Sequence, residues 1–119
     1  MITKVIDKNL DLGGRMVPVD EEGYLVDPED WDPEVAARLA EQEGLELNDD
    51  HWKVIRFVRD HYAEHQVAVD ARFVIRYLAE ELGKGKDARS YLFELFPYGY
   101  VKQACKVAGM RRPRAWSTG

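Results

Sequence analysis

The sequence predicts an α+β fold, mainly α: an orthogonal bundle of about five helices with an N-terminal β-hairpin and a flexible C-terminal arm. Three observations carry this expectation. Apolar residues recur at helical spacing from residue 32 onward. The first thirty residues instead alternate in short runs broken by Gly13-Gly14 and by Asp20-Glu21-Glu22-Gly23. Beyond Met110 the only large apolar residue is Trp116, amid three arginines and Pro113. A chain of 119 residues holds one core rather than two. It therefore reads as a single domain, 1–119, made of an acidic hairpin region (1–30), a helical bundle (32–109) and a basic arm (110–119).

The hairpin is placed by two alternating segments around Leu10 to Val17 that meet at Gly13-Gly14, whose glycines permit the positive φ angles of a two-residue turn. Pro18 donates no hydrogen bond, which confines the second strand to an edge or ends it there. A third short strand is expected at Tyr24-Leu25-Val26, after the Asp20 to Gly23 turn. Asp32 followed by Pro33 marks a helix start, with Val35, Ala36, Leu39 and Ala40 inward and Gly44 at the end. Asn48 caps the next helix, whose first turn places Asp49 and Asp50 where the helix dipole favours anions. Its stripe of Trp52, Ile55, Val58 and Tyr62 makes it the central helix. Asp70 caps a third helix with Phe73, Val74, Tyr77, Leu78 and Leu82 inward. Asp87 caps a fourth, through Tyr91, Leu92, Leu95 and Phe96, which Pro97 terminates. A last helix spans Gly99 to Ala108, and Gly109 stops it.

The net charge of −5 conceals an asymmetry. Residues 1–50 carry 15 acids against 4 bases, and residues 51–119 carry 7 against 13. The basic end, with Lys102, Lys106, Arg111, Arg112 and Arg114, suits an acidic protein surface, a phosphate or a nucleic acid, and charge alone does not choose among them. No apolar run has the length of a signal peptide or a membrane span, so the expectation is a cytoplasmic protein with no membrane insertion. The single cysteine excludes an internal disulfide and a cysteine-based cluster. Any redox chemistry is therefore intermolecular.

Cys105 shares a helical face with Val101, Ala104 and Ala108, the pattern of a small cysteine packed on the core. Lys102 and Lys106 stand close by in sequence and stabilise a thiolate if they lie near the sulfur. The expectation is a modestly reactive, half-hidden thiol. His61 and His65 fall at i and i+4, yet His-Tyr-Ala-Glu-His is not the metalloprotease pattern and spacing dictates no third ligand. The sequence thus assigns no metal and no cofactor, and it reads His51 as a local polar contact near a helix start. Arg72, Arg76, Lys84, Lys86 and Arg89 gather in a region resembling a winged helix-turn-helix, the basis for an alternative in which the protein is a regulatory module acting on DNA. Core periodicity in that region and the acidic N-terminal half weigh against it.

Leu95-Phe96-Pro97, Gly99, Lys102-Gln103-Ala104-Cys105, Ala108-Gly109 and Pro113 resemble the C-terminal signature of the DsrC/TusE family of small sulfur-relay proteins, also called gamma subunits of dissimilatory sulfite reductase. Val17 to Tyr24, and Leu47 to Gln66 with Trp52 and Tyr62, extend the resemblance over nearly the whole chain. It implies a carrier that receives sulfur as persulfide or through a trisulfide and passes it between sulfurtransferases, sulfite reductase and heterodisulfide-reductase-like complexes. In that family an arm cysteine takes the sulfur and a helix cysteine, matched by Cys105, closes onto it, whereas TusE keeps only the arm cysteine and works in tRNA thiolation. Eleven residues beyond Cys105 this chain has Trp116, and Gly99-Tyr100 stands where the family has Gly-Pro. The resemblance therefore leaves Cys105 as the only candidate sulfur-carrying thiol. It makes the protein at most a sulfurtransferase-type carrier with no independent active site. Lys102, Lys106, Arg111, Arg112, Arg114 and Trp116 are the expected docking surface, with Trp116 filling a partner pocket. A non-catalytic docking paralogue is the rival expectation.

Overall fold

The computed structural model describes residues 8–67 and 69–111. The elements run in the order a hairpin, four α-helices and a terminal helix. Strands β1 (Lys8–Asp11) and β2 (Met16–Val19) pair antiparallel, with Leu10 opposite Val17 and Asn9 opposite Pro18. The Leu12 N–H donates to the Arg15 carbonyl at 2.8 Å, closing the two-residue turn over Gly13 and Gly14, both at positive φ. Leu10 and Val17 face the core. The strand expected at Tyr24 to Val26 is reduced to an isolated bridge between Val19 and Leu25. The chain turns away into a 3-10 turn at Pro28–Asp30, which the Asp27 carboxylate caps.

Helix α1 (Pro33–Gln42) starts where Asp32 accepts from the Val35 N–H at 2.9 Å and Pro33 needs no partner for a missing N–H. It buries Val35, Ala36, Leu39 and Ala40. Helix α2 (Asp49–His65) opens with a reciprocal cap: the Asn48 side chain accepts from the Asp50 and His51 N–H groups, and His51 Nδ1 accepts from the Asn48 N–H. With Nδ1 accepting, His51 Nε2 carries the proton and donates to the Leu95 carbonyl at 2.7 Å, joining the start of α2 to the end of α4. The contact expected of His51 is thus local at one nitrogen and long-range at the other. Val54, Ile55 and Val58 are fully buried, and α2 packs against both α3 and the terminal helix.

Helix α3 (Ala71–Glu81) is capped by Asp70, which accepts from the Arg72 N–H at 2.8 Å. Its buried stripe is Val74 and Leu78. Phe73 does not belong to it: lying on the flank of the stripe, it is 44% exposed, with the Arg72 and Arg76 guanidinium groups each 5.9 Å from its ring. Helix α4 (Ala88–Leu95) also departs from expectation at its start, since a 3-10 turn at Gly85–Asp87 runs directly into it and Asp87 makes no side-chain cap. At the other end Phe96 leaves the helical region (φ −131°, ψ 83°), as the residue before a proline does.

Candidate functional site

The terminal helix differs from the regular α-helix expected over Gly99 to Ala108. Tyr100–Cys105 adopts π-helical hydrogen bonding before the chain resumes α geometry at Lys106. The i→i+5 pattern closes Tyr100 and Cys105 onto one another, whereas α winding leaves residues five apart on different faces. Cys105 is 0% exposed and Tyr100 1%. The Tyr100 hydroxyl donates to the Val69 carbonyl, between α2 and α3, and also hydrogen-bonds with the thiol.

This environment corrects the expectation of a half-hidden, lysine-supported thiol. Burial pushes the Cys105 thiol up to about 12, only partly opposed by the Tyr100 hydroxyl. Burial likewise drives the Tyr100 phenol well above its ordinary value, with Cys105 adding to the effect. The lysines are engaged elsewhere. Lys106 Nζ pairs with Glu43 at 2.9 Å and lies 5.1 Å from the Tyr24 ring centroid, while Lys102 is exposed. The protein thus presents Cys105 as a protected thiol. Chemistry at its sulfur requires the terminal helix to loosen from α2 and the Val69 segment.

The residues around Cys105 hold the helix in place. Gln103 is buried; its side-chain oxygen accepts from the Tyr98 N–H at 2.9 Å, and its nitrogen donates to Glu43 at 3.3 Å. The Tyr24 hydroxyl donates to the Val101 carbonyl at 3.0 Å. Trp31 Nε1 donates to the Val107 carbonyl at 2.9 Å. Over the Trp31 ring, at 4.5 Å, lies the Arg59 guanidinium, which also donates to the carbonyls of Pro28 and Ala108, each at 3.1 Å. Desolvation lowers the Arg59 pKa, opposed by Glu29. The helix then ends in a Schellman motif: Gly109 at φ +79°, its N–H donating to the Lys106 carbonyl, and the Met110 N–H donating to the Cys105 carbonyl.

Of the expected docking residues, Lys102 and Arg111 are exposed. Lys106 is half-buried in its ion pair, which removes it from a free basic surface. Arg112, Arg114, Trp116 and the expected flexibility of the arm lie outside the described residues. Glu43, Trp31, Arg59 and Tyr24 were not legible as site residues, because their partners are backbone carbonyls or side chains about 31 to 77 residues away. In the region likened to a helix-turn-helix, Lys84 lies 4.1 Å from the Tyr91 ring centroid and Arg72 pairs with Asp70 at 3.3 Å. With Arg76 5.9 Å from the Phe73 ring centroid, three of its five cations are engaged within the protein. No helix among the described residues is long and apolar enough to cross a membrane.

Residues 11–115 match the family model described as DsrC like protein. Sulfurtransferase TusE of Pectobacterium atrosepticum is 41% identical over 104 residues, covering 87% of this chain and 95% of that protein. The oxidized gamma-subunit of the dissimilatory sulfite reductase (DsrC) from Archaeoglobus fulgidus superposes with a TM-score of 0.84 at 35% identity, covering 92% of this chain and 99% of that one. DsrC of Allochromatium vinosum gives 0.80 at 42% identity, covering 91% and 96%. These relatives support the sulfur-relay expectation over the DNA-binding alternative and lend nothing to the helix-turn-helix likeness. The family model, the 41%-identical relative and the shared bundle shape together show that the chain belongs to the DsrC-like family of sulfur-relay proteins over nearly its whole length.

Proposed function

We propose that this protein is a sulfur carrier of cytoplasmic sulfur metabolism, with Cys105 as its sulfur-bearing thiol. The observation that supports this most is that the family match, over residues 11–115, includes the terminal helix that carries the chain's one cysteine. In the relay step the Cys105 thiolate attacks the terminal sulfur of a donor persulfide, R–S–SH. The donor S–S bond breaks, R–S⁻ leaves and takes up a proton, and Cys105–S–SH forms with no net oxidation. A thiolate or other nucleophile on the acceptor repeats the attack and returns Cys105 to thiol. Donor and acceptor are sulfurtransferases, sulfite reductase or heterodisulfide-reductase-like proteins. They bind the basic end through Lys102, Arg111, Arg112, Arg114 and Trp116, and binding displaces the terminal helix far enough to expose the sulfur.

Incubation with a persulfidated donor sulfurtransferase tests this. The wild-type protein gains one sulfur mass, and Cys105→Ser gains none. A wild-type protein that gains no mass, with its thiol reduced and the donor bound, overturns the carrier reading. A second reading then stands, favoured by the complete burial of Cys105 and by Trp116 in place of a second cysteine. In it the protein docks to the same complexes without carrying sulfur. Binding to a sulfite-reductase-like complex that survives Cys105→Ser but is lost on removal of residues 111–119 distinguishes it.

A further inference from the structure

The C-terminal end of α2 carries two imidazoles for which neither the core nor the sulfur chemistry has a use. His61 and His65 stand at i and i+4, with ring centroids 4.4 Å apart and planes inclined by 40°. The His65 side chain is 57% exposed, and the approach of its Nε2 to Glu64, 3.8 Å, is too long for a hydrogen bond. Among the described residues, no hydrogen bond occupies a nitrogen of either ring. Two imidazoles held side by side at a surface gain little from one another, and their charged forms repel. The pair is nevertheless set one turn apart on a 17-residue helix, so the spacing of its two backbone positions is fixed before any ligand arrives.

We propose that His61 and His65 chelate a late first-row divalent cation, of the Cu²⁺ or Ni²⁺ type. Imidazole nitrogen suits these ions, and affinities rise through Ni²⁺ to Cu²⁺ before falling at Zn²⁺. Three features of the surroundings favour a cation. His65 lies in the last turn of α2, where the helix dipole is negative, and His61 one turn before it. Asp60 and Glu64, both exposed, occupy the neighbouring column of the same helix. No hydrogen bond among the described residues engages a nitrogen of either ring, which leaves both open to a ligand. Among the described residues no three side chains are gathered for a closed metal site. The chelate is therefore open, with water completing the coordination.

Titration of the full chain with CuCl₂, followed by calorimetry and by electron paramagnetic resonance, tests the proposal. The wild type should bind one equivalent with two equivalent nitrogen couplings. Because the second imidazole binds as an intramolecular ligand, His61→Ala and His65→Ala should each weaken binding by about 100-fold and leave one coupling. Cys105→Ser, carried in parallel because thiolate also binds copper, should behave as wild type. Binding unchanged in either histidine variant, loss of the signal in Cys105→Ser, or no binding by the wild type overturns the assignment.

Discussion

Gly109 is where the terminal helix meets the Trp31 and Arg59 clamp, and replacing it with alanine separates two demands on one residue. Its φ of +79° costs an L-residue roughly 1–2 kcal/mol. The loss of unfolded-chain freedom on going from glycine to alanine returns about 0.4–1 kcal/mol. A Cβ there would also sit 2.4, 2.7 and 2.8 Å from Cδ1, Cγ and Cβ of Trp31. Trp31 is held by its bond to the Val107 carbonyl and by the Arg59 guanidinium above it, so it has little room to yield. Overpacking of this kind costs about 1–3 kcal/mol. Gly44 provides the control: it ends α1 at φ +73°, and a Cβ added there would meet nothing within 4 Å, so Gly44→Ala carries the backbone cost alone. In urea unfolding, Gly109→Ala should be less stable than Gly44→Ala by about 1–3 kcal/mol, or roughly 4–12 °C in melting temperature. In a Trp31→Leu background the excess should shrink. Equal costs for the two alanines, or an excess undiminished without Trp31, would refute the clamp.

Two further outcomes follow from the buried thiol. Tyr100→Phe keeps the ring but leaves the Val69 carbonyl without its donor, a loss of about 1–3 kcal/mol. Alkylation of Cys105 in the folded protein should then quicken by about 10-fold or more, and an unchanged rate would show that the hydroxyl does not hold the thiol closed. The second outcome concerns pH. The Cys105 thiol lies near 9.0 when unperturbed and near 12 in the folded protein. Its contribution to stability is therefore fully present below pH 9 and is lost as pH rises from there toward 12. Between pH 7 and 10 the wild type should lose on the order of 1 kcal/mol through this group, and Cys105→Ala should lack that component. Parallel pH profiles for the two proteins would sink the assignment.

The sequence by itself determined the hairpin, the helices and most of the caps, because those depend on neighbours within a few residues. Gly13-Gly14 permits the turn, Asp32, Asn48 and Asp70 satisfy the first N–H groups of their helices, and Pro97 ends α4. The signature from Leu95 to Pro113 also determined the family, since the match extends over residues 11–115. Local rules failed where two signals compete within one turn: Phe73 follows the helical period yet lies on the flank, and the 3-10 turn at Gly85–Asp87 takes the place of the expected Asp87 cap. Only the tertiary structure decided the state of Cys105. Lysines adjacent in sequence suggested a modestly reactive thiol, but Glu43, from the end of α1, draws Lys106 away. Tyr100, wound under the cysteine by the π register, ties the helix to the carbonyl of Val69. Whether a thiol is charged depends on the water and the charges within a few ångströms of its sulfur, and those are set by segments 31 and 63 residues away in the chain from the residues they hold.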